Sequence, residues 1–160
     1  MRQVPEGAWA ADNAVLTGEL HLGQDVNIWF SCVLRGDDAP ITIGARTNIQ
    51  DLTMVHADPG VPNSIGADCT IGHGCVLHGA RIEDHCLIGM GAILLAGSVI
   101  GEGSIVGAGA LIKENFVVPP RSLVVGTPGR VIRTVSDEQY ADMERSAEAY
   151  VRAAREYIEE

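Results

Sequence analysis

Aromatic side chains are scarce in this 160-residue chain: two Trp, three Tyr and two Phe, 4% of the whole. Without large rings, a core has to be thin and regularly packed from aliphatic residues. Lysine is nearly missing as well. Lys113 is the single lysine among eleven basic residues, which face 21 acidic ones and leave a formal charge of -10. That balance repels phosphate backbones and anionic lipid headgroups, so it excludes nucleic acid and membrane as partners. No stretch comes near the roughly eighteen unbroken apolar residues of a spanning helix. The opening segment MRQVPEGAWAADN lacks the apolar core of a secretion signal, and a soluble cytoplasmic protein is expected. Four cysteines without a CxxC pair fit reduced thiols rather than a disulfide framework. The length allows one domain with a real core, and not two.

What is abundant is glycine, 19 residues, together with repetition. Aliphatic residues recur every six positions as Leu16, Leu22, Ile28, Leu34, then Ile43, Ile49, Val55, then Ile65, Ile71, Leu77, then Ile82, Ile88, Leu94, Ile100, Val106, Ile112. Glycine follows many of these anchors, as at Gly23, Gly44, Gly66, Gly72, Gly89, Gly101 and Gly107. The phase slips at two insertions, RGDDAPIT and ADPGVPNS, and at one deletion between Leu77 and Ile82. A six-residue unit with an aliphatic anchor resembles the hexapeptide-repeat family. The resemblance implies a mainly β fold, a left-handed parallel β-helix of triangular section with three hexapeptides per coil. The β-helix with its lead-in and closing segment is expected over 1–135. The segment NFVVPPRSLVVGTPGRVIRTV is read as breaking the period. Ser136 then caps an α-helix with Gln139 at the capping-box position. Tyr140, Met143, Ala147, Tyr150, Val151, Ala154 and Ile158 give that helix, about 137–158 within a C-terminal segment 136–160, one apolar stripe along the prism.

The phase also orients side chains. Every cysteine, Cys32, Cys69, Cys75 and Cys86, falls four residues after an anchor and so two before the next, a slot that turns inward and needs small residues. These are core fillers, not ligands or nucleophiles. The residue after each anchor points outward, which puts Arg35, His56, His78 and then Leu95 in one column on the third face. Trp29, Gln50 and Gly72 stand on the second face, with Phe30, Asp51 and His73 beside them at the corner. His73 and His78 in IGHGCVLHG are five apart, an interval that neither a helix nor a strand brings together. Coils stack at about 4.8 Å, so His56 and His78 can share a ligand, but His73 lies roughly 15 Å from them. Two readings stand: the histidines are ordinary surface residues, like His21 and His85, or His73 meets the His56 and His78 pair of a second chain, as in a cyclic trimer of prisms. Three neutral imidazoles around a metal, with a fourth position open to water, describe a hydrolytic or hydration site.

The segments LRGDDAPITIG, NIQDLTMVHAD and IGHGCVLHG, followed by SLVVGTPGRVIR and a C-terminal helix, are similar to the γ-class carbonic anhydrases over roughly 12–160. The resemblance implies a homotrimer that hydrates carbon dioxide to bicarbonate, with zinc, or iron or cobalt, held at each subunit interface by His56, His73 and His78. It implies an interface ion pair of Arg35 and Asp37 that orients bicarbonate, and a Gln50 that hydrogen-bonds the metal-bound water, with Asn48 and Asp51 in support. Tyr150 matches the tyrosine that approaches the metal from the helix. The acidic loop of the most active members is absent: the loop after His56 is ADPGVPNS, leaving Asp38, Asp58 or buffer to carry protons. A hexapeptide acyltransferase, which uses one histidine as general base and for which GTPGRVIR is a familiar closing segment, is a competing reading. So are thioester hydrolysis and a non-catalytic, metal-stabilised trimeric scaffold.

Overall fold

The anchors superpose from coil to coil in three columns. On the second face Ala10, Ile28, Ile49, Ile71, Ile88, Val106 and Val124 stack in parallel register. Leu16, Leu34, Val55, Leu77, Leu94 and Ile112 form the third-face column. Leu22, Ile43, Ile65, Ile82, Ile100 and Val118 form the first-face column. The result is a parallel β-solenoid of about six turns. This computed structural model describes residues 1–159, without the side chains of Glu6, Ile158 and Glu159. The place of Ile158 on the helix stripe, and Glu160, therefore lie outside the described residues.

Two corrections to the repeat follow. It starts one anchor earlier, at Ala10 in the strand Ala8–Ala10, and it does not stop at Ile112, because Val118 and Val124 are fully buried anchors too. Pro119 and Pro120 follow Val118 in the end strand of its sheet; the equivalent amide one coil earlier, Gly101 N, donates to Val118 O, but no strand stacks beyond Val118 to need one from Pro119. The period ends only at 126–129, after which Arg130–Thr134 turns back antiparallel to Ser122–Val125 and covers the last coil.

Glycine has two separate tasks. Directly after an anchor the backbone of the next coil is so close that a Cβ on Gly44 would meet the Ala67 nitrogen at 2.4 Å. Three residues after an anchor the chain turns the corner with positive φ, and there other residues substitute: Ser31, Arg46, Leu52, Asp68 and His85 all adopt it beside Gly74 and Gly91. His85 is thus a corner residue. The four cysteines fill inward slots at 1% exposure or less, and burial pushes the Cys32 and Cys75 thiols up to about 11.

The C-terminal helix, Asp137–Glu159, starts with the expected capping box: Gln139 N donates to Ser136 Oγ at 3.2 Å and Ser136 N to Gln139 Oε1 at 3.3 Å. Met143, Ala147, Val151 and Ala154 are buried, and the helix packs on the second face against Asn27–Ile28, Asn48–Ile49 and Thr70–Ile71. It runs back along the prism. Arg121 pairs with Asp137 near the last coil, Tyr140 donates to Glu102 at 2.6 Å, and Arg155 reaches Asp25 of an early coil at 3.2 Å. No described helix is long and apolar enough to cross a membrane.

The two glycine tasks separate by mutation. Gly44→Ala is expected to cost about 3 kcal/mol through backbone collision. Gly74→Ala, which meets nothing within 4 Å, should cost only about 1 kcal/mol for its left-handed φ; thermal unfolding of the two variants measures the difference.

Candidate metal centre

Third-face register places Arg35 beside His56 and His56 beside His78, in adjacent coils. The two imidazole rings lie 5.4 Å apart. The first insertion is not a free loop. It belongs to the long strand Val33–Ile43, where Gly36 pairs with Gly18 and Ile41 with Leu20, so the surplus residues between them bulge outward. The bulge returns Asp37 and Asp38 onto the histidine column. Arg35 Nη1 donates to Asp37 Oδ2 at 2.6 Å, and Arg35 Nη2 lies 3.3 Å from His56 Nδ1. Because the guanidinium only donates, His56 accepts at Nδ1 and carries its proton at Nε2, 3.0 Å from Asp38 Oδ2 and 3.4 Å from Asp37 Oδ1. The Arg35 hydrogen bond holds the exposed Asp37 carboxyl below its usual range. On the next coil Asp58, from the second insertion, stands 3.4 Å from His78 Nε2.

Arg35 and Asp37 meet within the chain, the bulge bringing the carboxylate back to the guanidinium. Asp38, a candidate proton carrier, touches His56. Among the described residues, the group whose ligand atoms all lie within 4.8 Å of one another is Asp37, Asp38 and His56, not the three histidines.

His73 stands apart, at the corner of the second face. Its Nδ1 is 2.7 Å from Asp51 Oδ2, and the side chain is 45% exposed. Asp51 is itself steadied by the Phe30 amide, which donates to its Oδ1 at 3.3 Å. Gln50, His73, Met90, Ser146 and Tyr150 line one groove of about 300 Å³ between helix and prism. Tyr150 packs edge-on against Trp29, ring centres 5.4 Å apart, and burial followed by the Asp51 charge raises its hydroxyl above the usual range. The structure thus gathers Arg35, Asp37, Asp38, His56 and His78 on one face, and Gln50, Asp51, His73 and Tyr150 around the adjacent corner.

Sequence reasoning missed Asn63. It is 1% exposed, receives a hydrogen bond from the Ala80 amide at 2.9 Å, and donates to the carbonyls of His56 and Leu77. It ties the second insertion to both histidine-bearing strands. The signal was available: an amide stands in the inward slot two before Ile65, where most coils place Cys, Ala, Ser or Thr.

Residues 79–114 match the family described as bacterial transferase hexapeptide (six repeats). Over most of its length the chain is 46% identical to a protein of Methanocaldococcus jannaschii named "Probable carbonic anhydrase", covering 89% of each chain. It is 39% identical to a protein of Geobacillus kaustophilus named "Carbonic anhydrase", covering 97% of this chain and 85% of that one. Among solved structures it resembles a hexapeptide transferase family protein from Anaplasma phagocytophilum, with 36% identity, a TM-score of 0.91, and coverage of 94% and 89%.

Removing the buried Asn63 amide takes the acceptor from the Ala80 N–H and one hydrogen bond each from the Leu77 and His56 carbonyls, the latter keeping the Gly79 amide. Asn63→Ala is expected to lower stability by about 2–3 kcal/mol, and Asn63→Asp, which keeps the acceptor but loses the donors, should not restore it; denaturant unfolding is the measurement.

Proposed function

We propose that this chain, which belongs to the γ-class carbonic anhydrase family of hexapeptide-repeat proteins, hydrates carbon dioxide reversibly to bicarbonate at a divalent metal held between subunits of a homotrimer. The observation that carries the reading is the in-register column of Arg35, His56 and His78 on one face, with His73 turned out at another corner of the prism. A ring of three prisms brings His73 of one chain to the pair of the next.

The residues fit such a cation. His73 donates its Nδ1 proton to Asp51, which fixes the tautomer and leaves Nε2 bare to ligate. At His56 and His78 carboxylates now stand at Nε2. A cation at His56 Nε2 would displace the carboxylate there and require the ring proton to move to Nδ1, giving up the Arg35 contact. His56, His73 and His78 would hold the metal, Zn²⁺ first, with Fe²⁺ or Co²⁺ suited to the same donors. Such a metal supplies a Lewis acid that makes hydroxide available near neutral pH. Arg35, oriented by Asp37, offers a guanidinium to the bicarbonate oxygens. Gln50 accepts a hydrogen from water or from the bicarbonate hydroxyl, and the Tyr150 hydroxyl borders the same groove. Asp38 and Asp58 are the acidic groups beside the histidines that can pass protons toward solvent.

A second reading, acyl transfer, is favoured by the family description and by the name of the Anaplasma phagocytophilum neighbour. It needs one catalytic histidine and no metal. Anaerobic purification with metal analysis, and assays of both hydration and acetyl-CoA turnover, separate the two. One metal per chain with hydration supports our reading, and a metal-free active transferase overturns it.

Interface ligation has a specific consequence. His78→Ala chains and His73→Ala chains should each fail to bind zinc tightly, yet their mixture should regain part of it in heterotrimers. No metal recovered in the mixture would mean that the ligands do not cross an interface.

With the loop after His56 shortened, proton release should limit turnover. Activity is expected to rise with the concentration of an imidazole-type buffer, since a positioned acid or base contributes about 10² to 10⁴-fold to such a step. Asp38→Asn should slow the reaction at low buffer and be masked at high buffer; a rate indifferent to buffer in the wild type would remove the argument.

A further inference from the structure

The two ends of the prism are finished differently. At the far end Phe116 packs against the core and Arg130–Thr134 folds back on the last coil. At the near end the antiparallel strand Arg2–Val4 extends the second face alone, by pairing with Ala8–Ala10. The first strand of the other two faces, Val15–Leu22, pairs on one side only, with Val33–Ile43. Its Leu16 and Leu20 pack against the core but stay partly uncovered, whereas Leu34 and Ile41, in register with them one coil deeper, are fully enclosed. Between the N-terminal segment and this strand lies a cavity of about 390 Å³, walled by Val4, Pro5, Leu16, Leu20 and Leu22. Among the described residues its one charged lining side chain is Arg2, whose Nη2 donates to the Ala14 carbonyl at 3.3 Å. That bond holds the guanidinium at the rim and leaves the other N–H groups of its fork for a ligand.

We propose that this open end of the prism binds a medium-chain fatty carboxylate, its alkyl chain lying on Leu16, Leu20 and Leu22 and its head held by Arg2. The site is separate from the histidine column and needs neither a metal nor the hydration reading. Each methylene moved from water onto an aliphatic wall strengthens binding about fourfold. The planar fork of a guanidinium takes a carboxylate through two parallel hydrogen bonds. A second copy of the chain, set mouth to mouth, is the rival cover, and the edge strand opposes it. Its register breaks between Gly18 and Leu20, with Gly18 at a φ of +78°, and Glu19 and His21 stand exposed on it. A bulge and charged side chains are what keep a sheet edge from pairing with its like.

The test titrates hexanoate, octanoate and octanol into the full chain and follows leucine methyl shifts by NMR. Octanoate should shift the Leu16, Leu20 and Leu22 methyls and bind about fifteenfold tighter than hexanoate, two methylenes at about fourfold each. Octanol, with the same chain and no charge, should bind about tenfold more weakly than octanoate. Arg2→Gln should erase that difference by weakening octanoate alone. Leu20→Trp, which fills the cavity, should abolish both; its fold is checked by circular dichroism, and the exposed Arg2→Gln decides the matter if Leu20→Trp does not fold. Octanoate shifts centred on Leu87 beneath the helix, no shift at all, or an Arg2→Gln protein with wild-type octanoate affinity overturns the proposal. Sedimentation of the ligand-free protein decides the rival cover: a mass that halves in Val15→Asp, a change at an exposed edge position, means that a second copy fills the mouth, and that also overturns it.

Discussion

Hydrogen bonding of each coil onto the next, in parallel and in register, is the constraint on which everything else in this protein depends. A parallel ladder admits no drift: a one-residue slip would turn every anchor outward. Register therefore stacks like on like. Inside, it makes three aliphatic columns, each fully buried side chain contributing about 1.5–3 kcal/mol. Outside, the same rule lines up Arg35, His56 and His78 without any further device.

Register also decides what happens to extra residues. A coil has no room for them inside, so both insertions leave the ladder outward, and both do so just after the histidine column. The first returns Asp37 and Asp38 to His56, and the second brings Asp58 to His78. Irregular length thus becomes the acidic surround of the imidazoles. Asn63 closes the second excursion and holds its exit against the strands on either side.

The helix completes the second face. Early coils present Trp29, Gln50 and Asn48 outward there, while later ones present Gly72, Gly89 and Gly107. The helix buries the first group under Tyr150, Ala147 and their neighbours and leaves a groove over bare glycine backbone. Because it is tied at both ends by ion pairs, at Asp137 and at Arg155, its hydroxyls and phenol are held at a fixed height beside His73.

The sequence by itself determined the period, the inward aliphatics and cysteines, the outward column of Arg35, His56 and His78, and the capping box at Ser136, because each is a local pattern that repeats with the pitch of the backbone. Its edges were harder to see. Ala10 is too small to announce an anchor, and Pro119 and Pro120 look like breakers although no strand stacks beyond Val118 to need their N–H. Only the tertiary structure decided the rest, because these contacts join residues from different coils or lie outside the repeat. It placed the helix on the second face and paired Arg35 with Asp37 in one chain. It turned Asp38 onto His56, made Asn63 a buried clamp, and hydrogen-bonded the Gln50 amide to Asn48. An outward bulge and a packed helix have no period to read, and their side-chain partners are chosen by where the coils finally stack.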